Sequence, residues 1–311
     1  MGRQQTKRHH VVPQFYLRRF ADKSENIAVV DRDDLTNRFK TSVRNTAVEG
    51  WFYGIPTEEG WDTIIEDTLA KLEGIASHDI PRLADGRPST LDVFRKRLSF
   101  FMAVQFVRGR GPRQAMIDFR KEIFKKKLQL STPKIIQAES AREGEEITIE
   151  EARRRAAMGQ DPTLEVEFQR IGPNQLPAES LVNAADVFKQ GEELIRFFYM
   201  RKWMLADFGA PLLLTSDEPV ATGMDTGDPQ RSAGLANADS IVFPLDPRRA
   251  LIMMRPDVQA PAHGWVKGTP KEANAINQLV AFRAYKQIFH HPDTDPLADL
   301  EIPGSPKPPA T

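Results

Sequence analysis

Two adjacent histidines near the N-terminus, His9 and His10, are the first residues whose chemistry suggests a site. Imidazole serves as a general base or a metal ligand near neutral pH. Neighbouring side chains point to opposite faces of a strand and diverge by about 100° on a helix, so one metal ion does not take both. We expect one histidine to act as ligand or base, with His10 as the metal ligand, while the other contacts a phosphate or the backbone. The alternative is that both hold the N-terminal arm through hydrogen bonds.

The segment after the histidines carries polar candidates for binding a substrate. Pro13 is well placed at a helix start, and a short amphipathic turn follows it. Gln14 and Tyr16 lie on this turn, close to the histidines in sequence. We therefore assign these two residues to substrate binding.

The first clear helix, over residues 61 to 77, has two glutamates at the edge of its apolar stripe. Glu66 and Glu73 are seven residues apart, so they project nearly the same way. Carboxylates in such a place suit a divalent metal ion or general acid–base catalysis, and we expect Glu66 to share a metal ion with His10. Ion pairs with arginines suit the same two positions equally well.

The second helix, over residues 91 to 107, places polar groups on its inward face. Gln105 and Arg108 continue an apolar stripe that consists of Leu91, Phe94, Leu98 and Phe101. A buried guanidinium is costly unless it is paired, so Arg108 is expected to meet Glu66 or Glu73. A purely structural network explains these two polar residues as well as a binding pocket does.

Polar residues also follow the ends of two elements. Arg110 and Arg113 come after the second helix, where they are candidates for binding an anion. Ser216 and Asp217 close an apolar strand over residues 211 to 216, and the end of a strand is a usual place for a site. Asp217 fits an Asx turn equally well. The sequence has no Gly-x-Ser-x-Gly elbow, so it gives little support to a serine hydrolase.

Several of these segments together resemble one family, the bacterial "domain of unknown function 4238" family. The resemblance covers roughly residues 9 to 285, and its most specific motif is the run His-His-Val-Val-Pro-Gln that begins at His9. It also includes a Glu-bearing helix, a Gln-x-x-Arg helix, a strand ending in Ser-Asp-x-Pro, and a Phe-Pro-Leu segment at 243–245. The family pattern predicts Arg-x-Pro after the Gln-x-x-Arg helix, and this chain matches it with Arg110-Gly111-Pro112. The resemblance implies no reaction, because the family brings none with it.

The N-terminal run is also similar to the opening of HNH nucleases, which place a histidine on a strand before a loop and a helix. The second half of that motif is missing here. Residues 27–30 favour a strand, and no histidine follows His10 before His78. A nuclease of that kind is therefore not our prediction.

Charge and cysteine content limit the classes of function. Lysine and arginine together number 43, as do aspartate and glutamate, so no global field draws the chain to DNA or to an anionic membrane. The chain has no cysteine, which excludes disulfides, thiolate zinc sites and cysteine nucleophiles. A cytoplasmic protein without a membrane segment is the natural interpretation.

The elements that must position these residues are helices in the middle of the chain and short strands towards its ends. Besides the two helices above, we predict one over residues 184 to 207 and a last one over 271 to 290. A short strand is predicted at 27–30, and residues 39–43 are predicted to pair with it as a hairpin across the polar turn at 31–37. Short apolar runs bounded by proline, glycine or aspartate predict further strands at 211–216, 240–244 and 250–254. This order favours an α+β fold, with a helical core and strands from the N- and C-terminal parts packed beside it.

We predict a single domain over residues 1–292. Residues 131–180 form a peripheral insertion in this prediction, because they are charged, poor in aromatic residues and interrupted by glycine and proline. Residues 293–311 are predicted to be a disordered, proline-rich tail.

The most concrete function that this pattern suggests is a metal-assisted hydrolase acting on a phosphodiester or nucleotide. One histidine and Glu66 or Glu73 would hold a divalent metal ion or activate water, and Arg108 and Arg110 would stabilise phosphate charge. The partner of such a hydrolase would be a small phosphorylated or nucleic-acid substrate. The alternative is a non-enzymatic binding or regulatory module, in which the same residues form a buried polar network.

Overall fold

The computed structural model describes residues 8–50, 55–57, 60–62, 64–86, 92–111, 133–134, 136–138, 140–142, 144–157, 188–189, 191–224, 234–259, 264–298 and 300. The chain divides into two compact units, residues 1–111 with 183–311, and residues 112–182. With the exception of Arg113, all the candidate residues predicted above belong to the first unit.

A short strand pairing and a buried apolar turn hold the N-terminal arm in place. Strand β1 (Arg8–His10) pairs antiparallel with β4 (Val48–Gly50). Pro13 precedes helix α1 (Gln14–Leu17), where the missing N–H of proline costs no helical hydrogen bond. The side chains that anchor this turn are fully buried: Tyr16, Leu17 and Phe20. The predicted helix start at Pro13 is therefore confirmed.

Two long helices confirm those predicted from periodicity, and they contact each other. Helix α2 (Ile64–Ala84) is longer than predicted, and α3 (Asp92–Val107) has the predicted bounds to within one residue. The apolar stripe of α3 is buried at Phe94, Leu98 and Phe101. Gln105 and Arg108 are buried as well, so the polar continuation of the stripe faces inward as expected.

The second unit is described in part. Its helix α4 (Ile149–Ala157) is charged, and Arg155 lies 2.7 Å from the carboxylate of Glu145. Much of the predicted insertion at 131–180 lies outside the described residues, so its peripheral position stays a prediction.

A four-stranded antiparallel sheet joins strands from both ends of the chain. In spatial order it contains β3 (Arg38–Ser42), β2 (Asn26–Asp31), β13 (Gln287–His290) and β8 (Thr215–Ser216). The predicted hairpin of the first two strands is confirmed, with Val29 opposite Phe39. Thr215 lies opposite Phe289, and only the last two residues of the predicted strand at 211–216 belong to the sheet.

A second sheet consists of five strands. In spatial order they are β12 (Gly264–Lys267), β7 (Lys202–Asp207), β11 (Arg249–Met254), β10 (Ser240–Asp246) and β9 (Ala221–Gly223). All neighbours are antiparallel except β12 and β7, which are parallel. The strands predicted at 240–244 and 250–254 are confirmed as β10 and β11.

The helix predicted over residues 184 to 207 is wrong in its second half. The helical part ends with the short helix α5 (Arg196–Tyr199), and β7 follows it. Trp203 and Leu205 are buried at alternate positions, which is the period of a strand, and β7 is paired on both sides. Strands that are distant in sequence therefore decided the conformation of this segment.

The last helix, α6 (Pro270–Arg283), is shorter than predicted. A capping box starts it: the Glu272 N–H donates to the Thr269 hydroxyl, and the Thr269 N–H donates to the Glu272 carboxylate. The chain leaves the helix at Ala284, so residues that we predicted as helical form β13 instead. Helix α6 packs beside β8 and β9 and brings its C-terminal end close to the end of β8.

The fold is α+β, as predicted from the order of the elements. At the start of the predicted tail, Leu297 and Leu300 are buried, so the chain is packed that far. Residues 301–311 lie outside the part that the structure describes. Among the described helices, none is both long and apolar enough to span a membrane.

Candidate functional site

His10 has a hydrogen-bond partner on each ring nitrogen. Its Nε2 lies 3.2 Å from the carbonyl oxygen of Arg44, and its Nδ1 lies 3.4 Å from the side-chain nitrogen of Gln14. Arg18 donates to Gln14 Oε1, so the Gln14 nitrogen donates to Nδ1 and the ring proton sits on Nε2. The contact from Gln14 is long and therefore the weaker of the two. Nδ1, which carries no proton in this arrangement, is the ring nitrogen with a lone pair for a metal ion or a proton.

Tyr16 connects α1 to both sheets. Its hydroxyl donates to the carbonyl oxygen of Pro244 at 2.7 Å and accepts from the Thr215 hydroxyl at 2.7 Å. Its ring stacks on Phe243 with 5.1 Å between the ring centres. Complete burial raises the pKa of the Tyr16 hydroxyl, and the hydrogen bond with Thr215 opposes this only in part. We predicted that Tyr16 binds substrate. In the structure its hydroxyl instead forms both of its hydrogen bonds within the protein.

Gln105 ties α3 to the N-terminal arm. Its side-chain nitrogen donates to the carbonyl oxygen of Val11 at 3.2 Å, directly after His10 in the chain. Its Oε1 is buried and has no hydrogen-bond partner among the described residues. A buried polar atom without a partner costs free energy, so this oxygen is an open acceptor.

Arg108 forms the predicted ion pair with α2. Its Nη1 donates to Glu73 Oε1 at 2.8 Å, which confirms the pairing and selects Glu73 as the partner. The guanidinium is 1% exposed, whereas the Glu73 side chain is 27% exposed. Nε and Nη2 of Arg108 are buried and have no acceptor among the described residues. These two nitrogens form the edge of the guanidinium that binds two oxygens of a phosphate or carboxylate side by side.

Ser216 and Asp217 face the interior, where they hold the chain rather than project from a strand end. The Ser216 hydroxyl accepts from the Glu218 N–H at 3.1 Å. The Asp217 carboxylate accepts from three consecutive backbone N–H groups, those of Tyr285, Lys286 and Gln287, at 2.9, 2.9 and 3.1 Å. Burial raises the pKa of Asp217, while the three donors and the charge of Arg110 oppose the rise. Asp217 therefore joins the end of β8 to the segment between α6 and β13.

Glu218, which our sequence reasoning did not select, connects the end of α3 to the end of β8. Its carboxylate accepts from the Gly111 N–H. A Cβ atom at Gly109 would lie 3.2 Å from the carboxyl carbon of Glu218, and one at Gly111 would lie 2.8 Å from Oε1. A side chain at Gly111 would therefore displace the Glu218 carboxylate, and one at Gly109 would crowd it. The signal in the sequence was the Gly-Arg-Gly run after Arg108.

Of the predicted residues, the structure connects Gln105 to the segment after His10, and Arg108 to Glu73. Arg108 lies three positions further along the chain than Gln105. Arg110 lies instead beside the Tyr285 ring, with its Cζ 5.8 Å from the ring centre. The backbone of His9 belongs to β1 and that of Glu66 to α2, but their side chains lie outside the described residues, as does the whole of Arg113.

The described side chains include no group of three or more His, Asp or Glu residues that could hold a metal ion. Glu73, one of the predicted acids, already binds Arg108. Because the side chains of His9 and Glu66 are not described, a metal ion shared by His10 and Glu66 stays a prediction.

One family model matches most of the chain. It is described as "Protein of unknown function (DUF4238)" and covers residues 8–294. Neither the curated proteins nor the solved structures include a match to this chain. The function must therefore be inferred from the geometry.

Proposed function

This chain belongs to the DUF4238 family, whose function is unknown, and we propose that it binds the phosphate group of a small phosphorylated ligand at the end of α3. The observation that carries this proposal is the open edge of the Arg108 guanidinium. Nε and Nη2 are buried side by side and have no acceptor in the part of the chain that the structure describes, although Nη1 binds Glu73. A phosphate group offers two oxygens at the spacing that this edge requires.

The energetics favour an acceptor at this position. Arginine stays protonated in proteins, so burial cannot be relieved by loss of its proton. Leaving the N–H groups of a buried charged side chain unsatisfied costs about 1–3 kcal/mol or more. At 1% exposure of Arg108, a bound phosphate would be shielded from water, where charge-assisted hydrogen bonds are strongest. Gln105 Oε1, the open acceptor on the preceding turn, suits the hydroxyl of a phosphate monoester or of a sugar.

Thermal unfolding of the full chain in rising inorganic phosphate or phenyl phosphate, with ionic strength held constant by chloride, tests this site. Ligand at 100 times its Kd should stabilise the protein by about 2.7 kcal/mol. Arg108→Lys keeps a cation opposite Glu73 but has no planar edge, so phosphate should bind about tenfold more weakly or worse.

Arg97→Lys is the matched control. Arg97 also reaches from α3 to α2, but a carboxylate of Asp79 already fills its Nε and Nη2 edge at 2.9 Å for each contact. This variant should bind phosphate as the wild type does. An equal response of the two variants, or stabilisation by chloride alone, would mean that the open edge of Arg108 holds only water.

A second candidate function is metal-assisted hydrolysis of a phosphodiester or nucleotide at the same place. The observation that favours it is the link from His10 through Val11 and Gln105 to Arg108 and Glu73. In this proposal His10 and Glu66 hold a divalent metal ion, which would supply a Lewis acid and an activated water. Arg108 orients the phosphate, and Gln14 holds the imidazole of His10 until the metal ion binds. A cytoplasmic location, which we expect from the lack of cysteine, would suit such a substrate.

Hydrolysis of bis(p-nitrophenyl) phosphate with Mg²⁺ or Mn²⁺, together with calorimetry of the metal ion alone, distinguishes the two candidates. His10→Ala should abolish metal binding and turnover while the melting temperature without metal changes little. A wild type that binds phosphate but neither metal ion nor diester would instead be the non-enzymatic binding module that we considered as the alternative. A melting temperature that falls in His10→Ala, without any metal binding by the wild type, would give His10 a structural role.

A further inference from the structure

The orientation of the Gln105 amide is set by a backbone carbonyl of the N-terminal arm. Its nitrogen Nε2 donates to the Val11 carbonyl oxygen at 3.2 Å, and a carbonyl oxygen only accepts hydrogen bonds. The other end of the amide, Oε1, is therefore an acceptor, and it has no donor among the described residues. Gln105 is 2% exposed, so bulk water does not supply that donor. A ligand that completes this position must donate a hydrogen bond.

Gln105 and Arg108 lie on one face of α3, and their unfilled groups have opposite hydrogen-bond roles. The Arg108 N–H donates to the Val104 carbonyl at 3.0 Å, so the helical path continues to Arg108. Residues three positions apart on a helix have Cβ atoms about 5–6 Å apart. Arg108 offers two donors and Gln105 one acceptor, and none of the three has a partner in the part of the chain that the structure describes. One ligand that satisfies all three must carry two acceptor oxygens and one hydroxyl.

The charge of the site favours a ligand with a single negative charge. Arg108 supplies one positive charge, and the Glu73 carboxylate at 2.8 Å already neutralises it. A second negative charge on the ligand would add repulsion against Glu73. On the other elements around α3, Arg196 of α5 is exposed and lies over the Phe197 ring, and the His10 ring of the N-terminal arm is held by hydrogen bonds. Glu73 is therefore the charged neighbour that limits the charge of the ligand.

We propose that Gln105 makes this site specific for a phosphate group that keeps one proton, so that its ligand is a phosphate monoester bound as the monoanion. Two oxygens of the ligand accept from Nε and Nη2 of Arg108, and its P–OH group donates to Oε1 of Gln105. A sulfate ester has no such proton, and neither has a phosphodiester. This inference rests on the phosphate binding proposed above and adds to it the residue that sets the specificity.

Phenyl phosphate and phenyl sulfate are the matched ligands that test this inference. At about pH 5.5 both esters carry close to one negative charge, because the second pKa of a phosphate ester is about 6, and they differ in the proton of the P–OH group. Thermal unfolding of the full chain should show that phenyl phosphate binds about tenfold more tightly or better, because a sulfate oxygen would face Oε1 of Gln105 without a hydrogen. The response of Arg108→Lys in the same solutions is subtracted, which removes the general effect of these anions on stability.

The pH dependence gives a second readout. Above about pH 6 the phosphate monoanion loses its proton, so phenyl phosphate should bind about tenfold more weakly for each further pH unit. Phenyl sulfate keeps its charge over this range, and its binding reports the titration of protein groups such as Glu73 and His10. Relative to phenyl sulfate, an affinity for phenyl phosphate that stays constant or rises towards pH 8 would overturn the inference, because the dianion would then be the ligand.

Gln105→Met removes the acceptor and keeps the length of the side chain, so the preference for the phosphate ester should fall by about tenfold. Ser99→Ala is the matched control. The Ser99 hydroxyl is also a buried oxygen in α3 without a partner among the described residues, but it lies half a turn around the helix axis from Arg108. Ser99→Ala should therefore keep the preference of the wild type.

The outcomes separate this inference from the proposed function. The two esters are compared within one variant, so a general loss of stability cancels. Equal binding of both esters by the wild type, or an unchanged preference in Gln105→Met, would refute the role of Gln105 and leave phosphate binding at Arg108 intact. No response to either ester would refute the proposed function and, with it, this inference.

Discussion

Among the described residues, two ion pairs connect α3 and the residue after it to α2, and they use the arginine in opposite ways. Asp79 takes both Nε and Nη2 of Arg97, so that guanidinium edge is filled within the protein. Glu73 takes only Nη1 of Arg108, and no other described residue accepts from the equivalent edge. Burial is reversed as well. At the first pair the acid is buried and the Arg97 side chain is 42% exposed, whereas at the second the arginine is the buried partner.

The difference separates a structural ion pair from one that has capacity for a ligand. Both pairs join the same two helices, so helix packing alone does not explain why one guanidinium edge is open. A buried cation is tolerated when all its donors find acceptors, and Arg97 meets that condition with one carboxylate. Arg108 meets it only with an additional acceptor, which is why we propose that a phosphate group binds at this edge.

The largest loss of stability is expected at the Arg97–Asp79 pair, in which the guanidinium edge is filled. Arg97→Met leaves the Asp79 carboxylate, 3% exposed, without a cation, and should lower the free energy of unfolding by about 3–4 kcal/mol. Urea denaturation measures this loss. Arg97→Lys, which keeps the charge, should recover most of it. A loss below about 1 kcal/mol in Arg97→Met would remove the contrast between the two pairs, because Asp79 would then not need its partner.

The open pair should respond to the shape of the replacement. Arg108→Ala creates a cavity and should cost about 2–3 kcal/mol, whereas Arg108→Met fills the space and should cost about 1 kcal/mol. Glu73 tolerates either change because its side chain is partly exposed and keeps contact with water. The same denaturation experiment checks this order. Equal losses in the two variants would show that charge, and not filled volume, dominates at this position.

Tyr16 provides a comparison with Arg108, because its buried hydroxyl has hydrogen-bond partners within the protein. Tyr16→Phe removes the hydroxyl that bonds to Thr215 and Pro244, and should cost about 1–2 kcal/mol. The response to phosphate should stay as in the wild type, because no open donor or acceptor is lost. Tyr285→Phe, at an exposed ring, should change stability by less than about 0.5 kcal/mol. Loss of phosphate binding in Tyr16→Phe would assign the hydroxyl to the site after all.

His290 is expected to give the smallest effect, visible as a pH dependence of stability. Burial lowers its pKa below the ordinary 6.5, and its neighbours Asp295 and Arg38 act in opposite directions. The neutral ring is favoured in the folded protein, so its contribution is complete above about pH 6.5 and is lost as the pH falls through the folded pKa. His290→Gln should flatten the unfolding free energy between pH 7 and 5. His78→Gln, at an exposed position, serves as control, and an equal flattening there would contradict this assignment.

Helical periodicity predicted that Arg108 forms a buried ion pair, but it did not identify the acidic partner. The stripe through Phe94, Leu98 and Phe101 was enough to place Gln105 and Arg108 inside, because helical spacing fixes which side chains share a face. It left Glu66 and Glu73 as equal partners. The choice of Glu73 depended on the relative position of α2 and α3 along their axes. The sequence of neither helix specifies that position.

Glu218 and Asp217 show what sequence reasoning missed. Asp217 was selected as the polar end of a strand, but three backbone N–H groups from a segment 68 to 70 residues away surround it. Glu218 was not selected at all, because the two glycines that make room for it lie more than 100 residues earlier in the chain. The Gly-Arg-Gly run after Arg108 indicates a close approach of some other group, but nothing in the sequence near Glu218 identifies that residue as the partner.

The sequence by itself determined the α+β class, the two long helices, the hairpin of β2 and β3, and the inward direction of Arg108. Each of these follows from spacing within a few turns or one hairpin, where neighbours in sequence are neighbours in space. The tertiary structure alone decided that residues 202–207 form a strand and that one edge of Arg108 meets no acceptor among the described residues. The reason is physical: strand pairing and hydrogen-bond satisfaction depend on partners that only the folded chain brings within about 3 Å.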